Sequence, residues 1–93
     1  MLKNTILQAA VKLAHKRSAF TLMRREIAHE AGAATGTVNY HWESVGLLRD
    51  AVVTHAIENE VLGVLARVFG DPRVTRRMSP ALKERVAAHI AGK

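Results

Sequence analysis

Residues 35–42, with the sequence TGTVNYHW, combine small and polar side chains in a pattern that can contact nucleic acid. On a helical wheel Val38 and Trp42 lie one turn apart and face a core, so the polar side chains point outward. An asparagine on such a surface can pair with adenine, and hydroxyl and imidazole groups can donate hydrogen bonds to phosphate. The spacing therefore predicts a short helix with a polar outer face that begins with small residues.

Other reactive side chains do not form a recognisable catalytic or metal site. The chain has no cysteine, and its histidines lack the spacing and the accompanying carboxylates of a metal centre. These histidines are His15, His29, His41, His55 and His89. The glycines at positions 32 and 36 lack the Gly-Lys-Ser/Thr ending of a phosphate loop. We therefore expect no enzyme activity, no metal and no cofactor.

Charge is distributed unevenly along the chain. All charged side chains in residues 1–25 are basic. The charged side chains of residues 26–70 are mainly acidic, and those of residues 71–93 are again mainly basic. The net charge of the whole chain is +6. This layout indicates contact with a polyanion through one end or both. Arg73, Arg76 and Arg77 are interpreted either as a solvated linker or as an extension that reaches a duplex.

The length and composition are those of one small globular domain. The chain has 93 residues, of which 48% are apolar and 24% charged. A chain of this length buries roughly 60–70% of the surface that its unfolded state exposes. No stretch approaches the ~18 uninterrupted apolar residues of a membrane span, and Gln8 and Lys12 interrupt the apolar centre that a signal peptide needs. We therefore expect no membrane contact.

The helix that carries residues 35–42 needs two others to position it. Apolar spacing predicts a first helix over about residues 2–16. Thr21 is a candidate N-cap for a second helix of about ten residues, which ends at Gly32 because glycine adopts the left-handed conformation without strain. Two short helices joined by a tight glycine turn are typical of a helix-turn-helix, and periodicity alone fits an ordinary helical bundle equally well.

The remaining chain predicts two more helices. Ser44 caps a fourth helix that continues unbroken to about Phe69, since no proline interrupts it. Residues 73–78 have no clear period and are predicted to be a linker. Ser79 then caps a fifth helix that Gly92 closes. The predicted fold class is all-α, a small bundle of about five helices with a long fourth helix.

The N-terminal part of the sequence, over about residues 2–55, resembles the tetracycline-repressor (TetR-type) family of bacterial regulators. The resemblance rests on Ile6-Leu7-Gln8-Ala9-Ala10, Glu26-Ile27-Ala28, Ala31-Gly32, Gly36-Thr37-Val38-Asn39-Tyr40-His41-Trp42, Ser44 and Leu47-Leu48. It implies that helix three enters the major groove of DNA. It also implies contacts to base edges from Arg25, Thr35, Gly36 and Asn39, and to phosphate from Thr37, Tyr40 and His41.

The sequence departs from the family pattern in four places. Ala34 replaces the usual capping Ser or Thr, so helix three is expected to begin at Thr35. Arg24 stands where an apolar residue is usual, and Val45 replaces a lysine that contacts phosphate. Family members carry a large effector-binding domain, whereas only residues 70–93 follow helix four here. We therefore expect no small-molecule ligand and no enclosed effector pocket of ~300 Å³ or more.

Two copies of a short recognition helix bind DNA more tightly than one, which favours a homodimer. One apolar stripe of the predicted fourth helix packs on helices one to three, and the second is left over as a candidate dimer interface. This second stripe consists of Val53, Ile57, Val61, Val64 and Val68. In the alternative, the fifth helix folds back and covers the stripe within one chain, through Leu82, Val86 and Ile90.

These observations predict a cytoplasmic DNA-binding transcriptional regulator of bacterial or phage origin, associated with the nucleoid through double-stranded DNA. Residues 1–55 are assigned to a helix-turn-helix domain and residues 56–93 to an extension of helix four plus a C-terminal helix for dimerisation. The alternative is a small helix-turn-helix adaptor from a phage or mobile element that binds a host protein.

Overall fold

The computed structural model describes residues 2–92, and the regular structure in that range is entirely helical. A short 3-10 turn at Ala19–Thr21 lies between the first two α-helices. The helices are α1 (Leu2–Ala14), α2 (Arg24–Ala31), α3 (Thr35–His41), α4 (Val45–Glu58), α5 (Leu62–Ala66), α6 (Pro72–Thr75) and α7 (Pro80–Ala91). The predicted all-α bundle is confirmed, with more and shorter helices than the sequence pattern indicated.

One continuous core connects the helices. The apolar stripe of α1 is buried as predicted, with Ile6, Ala10 and Ala14 fully inaccessible to solvent. It packs between α2 and α4, and Leu48 and Val52 of α4 complete the contact. Full burial of a side chain such as Ile6 contributes about 1.5–3 kcal/mol. The same core extends without a break into α5, α6 and α7.

The start of α2 differs from the prediction, because Thr21 does not cap it. Thr21 belongs to the preceding 3-10 turn, whose cap Ser18 accepts a hydrogen bond from the backbone N–H of Phe20 at 3.1 Å. The N-cap position of α2 is Met23, and its backbone N–H donates to the Glu26 carboxylate at 2.8 Å. The 3-10 turn takes up residues that were assigned to the helix, so α2 has 8 residues instead of ten.

The turn between α2 and α3 agrees with the prediction. Gly32 adopts the left-handed conformation with φ 69°. The N–H groups of Gly32 and Ala33 donate to the carbonyls of His29 and Ala28, the pattern of a Schellman motif. α3 then begins at Thr35 as expected, and Val38 is fully buried beneath it. This turn therefore fixes how α3 leaves the bundle.

The prediction of a long fourth helix is wrong, because α4 ends at Glu58. Its cap by Ser44 is confirmed by a 3.1 Å bond from the Leu47 N–H. At the C-terminal end Glu60 adopts φ 52°, and the Val61 N–H donates to the Ala56 carbonyl at 2.9 Å. This is a second Schellman motif, with glutamate where glycine is usual. Residues 59–69 therefore do not extend helix four.

The proposed dimer stripe is covered within the chain. Val53, Val64 and Val68 are buried, and Ile57 and Val61 are half-buried against the core. The change of direction after α4 brings α5 against α7, which follows the predicted cap at Ser79 and buries Leu82 and Val86. The expectation of an exposed stripe is wrong for this reason, although Ile90 remains 42% exposed.

Part of the predicted linker is helical. Asp71 caps α6 by accepting a 2.9 Å hydrogen bond from the Arg73 N–H, and Pro72 occupies the first helical position. The helix is anchored because Val74 is fully buried, as is most of Met78 beyond it. Within residues 2–92, no helix has the length and apolar character needed to cross a membrane.

Candidate nucleic-acid interface

The outer face of α3 presents most of the predicted contact residues to solvent. Thr35, Gly36, Asn39 and Tyr40 are exposed, and the Tyr40 side chain is 83% accessible. Thr37 and His41 are half-buried at the edges of this face. The rings of Tyr40 and His41 meet edge to face at a centroid distance of 5.0 Å. The sequence-predicted residues of α3 therefore share one accessible surface.

Arg24 binds the predicted base-contacting asparagine. It is the first residue of α2, and its Nη1 donates to Oδ1 of Asn39 at 3.0 Å. A carbonyl oxygen accepts two hydrogen bonds, so Oδ1 keeps one acceptor position and Nδ2 keeps both of its donors. Arg24 was not among the predicted site residues, because its contact joins residues 15 positions apart in the sequence.

Arg25 lies beside the first turn of α3. Its side chain is exposed, and it has no hydrogen-bond or ion-pair partner among residues 2–92. Arg25 and Thr35 line the same open groove, which has a volume of about 700 Å³ and also includes Arg24 and Arg49. The helix-turn-helix therefore brings an unpaired guanidinium next to the N-terminal end of α3.

Arg49 of α4 holds the start of α2 in place. Its Nε and Nη2 donate to the Leu22 carbonyl at 2.9 and 2.6 Å, and Nη2 lies 3.8 Å from the sulfur of Met23. This contact joins residues 27 positions apart in the sequence, and no local motif predicts it. Arg49 therefore stabilises the orientation of α2 relative to α4.

The acidic side chains of α2 are neutralised from the neighbouring part of the chain. Glu30 pairs with Lys12 at 3.0 Å, and Glu26 pairs with Arg17. The hydrogen bond and charge of Lys12 hold the pKa of Glu30 below its usual value. These pairs reduce the repulsion that the two carboxylates exert on phosphate, so the basic residues at the start of α2 dominate the local potential.

The groove beside α3 does not decide whether the chain binds a small molecule. The groove beside α3 exceeds the ~300 Å³ that a small ligand needs, so size alone does not exclude a ligand there. It is an open surface groove, and the lack of a small-molecule effector stays a prediction. In the part of the chain that the structure describes, no cluster of three or more His, Asp or Glu side chains can hold a metal ion.

Comparisons with known proteins leave the geometry as the basis for assigning a function. No protein-family model, no curated protein and no solved structure matches the chain. The surface formed by α3 and the start of α2 is therefore the feature from which a function is inferred.

Proposed function

We propose that the chain is a DNA-binding transcriptional regulator of the TetR type that places α3 in the major groove. The observation that carries the proposal is that Arg25, Asn39 and Tyr40 are exposed on α2 and α3, while both glutamates of α2 are paired. The major groove is about 12 Å wide and admits an α-helix. The small side chains at positions 35 and 36 leave the N-terminal turn of α3 free to approach base edges.

The side chains divide into two roles on this surface. Arg25 matches the O6 and N7 acceptors of guanine, and Asn39 matches the N6 and N7 groups of adenine. Thr37, Tyr40 and His41 lie where they can donate to phosphate, which sets the register of α3 without specifying sequence. Few bidentate contacts are available, so one copy of the chain is expected to give modest specificity.

The proposal is tested by fluorescence anisotropy with duplex DNA that the parent protein binds. Arg25→Ala is expected to weaken binding about tenfold or more, since a bidentate arginine contact contributes about 1–3 kcal/mol. Tyr40→Ala is also expected to weaken binding, and Tyr40→Phe separates the hydroxyl from the ring. Arg85→Ala is the matched control, because Arg85 lies on α7 and pairs with Glu60 at 2.5 Å. Unchanged affinity in both the Arg25 and Tyr40 variants would sink the proposal.

A protein-binding adaptor is the second candidate, and two exposed apolar side chains favour it. Met23 is 59% exposed and Leu47 is 54% exposed, near the starts of α2 and α4. Large exposed apolar side chains are typical of surfaces that bind proteins when they form a patch. Pull-down after nuclease treatment separates the two candidates, with Leu47→Ser as the diagnostic variant. A partner that survives nuclease and is lost with Leu47→Ser supports the adaptor.

A further inference from the structure

A second groove lined by arginines lies next to the helix-turn-helix. It is formed by the first turns of α4 and α6 and has a volume of about 510 Å³. Its arginines are Arg49, Arg73, Arg76 and Arg77. Asp50 is the acidic residue in the lining, and Phe20 forms part of the wall. The lining therefore contains four guanidinium groups and one carboxylate.

Two of the arginines are held in fixed positions. Arg73 forms a bidentate contact with Asp71, with Nη2 to Oδ2 at 2.6 Å, and its guanidinium lies 4.3 Å from the ring centre of Phe20. Arg77 donates to Asp50 at 3.3 Å and to the Thr54 hydroxyl at 2.7 Å. Side chains that are already ordered lose less conformational entropy when they bind a ligand.

The other two arginines are not neutralised. Arg76 is exposed and has no side-chain partner among residues 2–92, and the bonds of Arg49 go to uncharged groups. Asp50 and Asp71 oppose only part of the charge, so the groove keeps an excess of positive charge. A guanidinium presents donors in a planar fork that fits a phosphate group. The chemistry of the groove therefore fits phosphate.

The two grooves are neighbours, and this adjacency favours DNA over a free phosphate as the ligand. Arg49 lines both of them, so the groove that includes Arg25 adjoins the groove that includes Arg76. We propose that Arg49 of α4, together with the arginines in and directly after α6, binds the DNA backbone beside the groove occupied by α3. These last arginines are Arg73, Arg76 and Arg77. This inference rests on the proposed function and adds phosphate contacts from outside the helix-turn-helix.

The inference is tested by the salt dependence of duplex binding. Each phosphate contact contributes about −0.9 to the slope of log K against log salt. Arg76→Ala is expected to make the slope shallower by about 0.9 and to weaken binding equally on different duplex sequences. Arg76 is the chosen position because its exposed side chain makes no hydrogen bond or ion pair among the described residues, so the fold is expected to be retained. Arg85→Ala is the control and is expected to leave the slope unchanged.

A gain-of-binding variant complements the loss. Asp71→Asn keeps a side-chain oxygen to cap α6 and removes the charge that opposes Arg73. It is expected to steepen the slope by about 0.9 and to tighten binding at low salt. Parent-like slopes in both Arg76→Ala and Asp71→Asn overturn the inference.

The remaining outcomes separate this inference from the proposed function. Loss of affinity in Arg25→Ala with parent-like slopes in both Arg76→Ala and Asp71→Asn retains the proposed function and overturns the second contact. Parent-like affinity in Arg25→Ala with a shallower slope in Arg76→Ala retains the arginine surface and overturns docking by α3. A parent protein that binds no duplex overturns both the proposed function and this inference. Titration with inorganic phosphate, followed by NMR of the arginine side chains, is expected to show only weak binding. Tight binding of inorganic phosphate with unchanged duplex slopes overturns DNA as the ligand.

Discussion

At the residue scale, the Asn39 amide is oriented before any ligand binds. Its oxygen already accepts a hydrogen bond from Arg24, which fixes the side chain relative to α2. A base contact made by an ordered amide loses less entropy than one made by a free rotamer. Arg24 therefore acts as a positioning residue for Asn39, in addition to the charge that it contributes to the surface.

Substitution of Gly36 is expected to change stability and duplex affinity in opposite directions. It lies in α3, and an added Cβ would meet no atom within 4 Å. Gly36→Ala is expected to raise the free energy of unfolding by roughly 0.5–1 kcal/mol, because alanine favours the helix. The same methyl group stands between α3 and the bases, so duplex affinity is expected to fall, and Gly36→Leu is expected to lower it further. Urea denaturation and anisotropy measure the two effects.

Gly32→Ala is the matched control for Gly36→Ala. The φ of 69° at Gly32 is unfavourable for alanine, so this variant is expected to lose about 1 kcal/mol or more of stability. Duplex affinity in Gly36→Ala and Gly36→Leu equal to that of the parent would show that α3 does not approach DNA at this position.

The residues of α3 were predictable, whereas the arginines that support them were not. Val38 faces the core and Asn39 faces solvent because both follow the helical period, which the sequence displays directly. The bonds from Arg24 to Asn39 and from Arg49 to Leu22 join residues 15 and 27 positions apart. Such contacts depend on how the helices approach one another, which local periodicity does not specify.

At the element scale, two Schellman motifs determine the direction of the chain. The motif after α2 uses Gly32 and was recognisable from the residue type. The motif after α4 places Glu60 in the left-handed region, and a glutamate gives no such signal. An aspartate followed by a proline is typical of a helix start, so Asp71 and Pro72 could have predicted α6, which was instead predicted to be a linker. The path of the chain from α4 to α7 was therefore the least predictable part of the fold.

Glu60→Gly tests the second motif. A left-handed residue other than glycine costs roughly 1–2 kcal/mol, and the flexibility of glycine in the unfolded chain offsets part of the gain. We expect Glu60→Gly to raise the free energy of unfolding by about 0.5 kcal/mol in urea denaturation. Glu58→Gly is the neighbouring control and is expected to destabilise the protein, since Glu58 is helical. Destabilisation by both variants to the same extent would contradict the left-handed assignment.

At the scale of the whole molecule, one arginine from each basic segment of the sequence lines one of two adjoining grooves. Arg25 comes from the first basic segment and Arg76 from the last, and grooves that share Arg49 connect them. The charge pattern predicted contact with a polyanion through one end or both, and under the proposed function both ends would contact one duplex. Periodicity predicted about five helices around one core. It did not predict the packing of α5 on α7, because that contact depends on the turn at Glu60.

The covered stripe makes a prediction about assembly. Val64 is fully buried within the chain, so Val64→Ala is expected to lower the free energy of unfolding by about 1–2 kcal/mol through loss of packing. Sedimentation equilibrium is expected to give the same molar mass for the parent and for this variant, because a second copy would have to use another surface. A parent dimer that dissociates on Val64→Ala would restore the stripe as an interface.

The most direct test of DNA recognition by α3 is selection of bound sequences from a pool of random duplex DNA, with the parent and with Asn39→Ala. We expect the parent to enrich a short motif that contains a required adenine, since asparagine pairs with the N6 and N7 groups of that base. Asn39→Ala is expected to retain binding and to relax the preference at that one position. Failure of the parent to enrich any motif, or an identical motif from Asn39→Ala, would contradict major-groove recognition by α3.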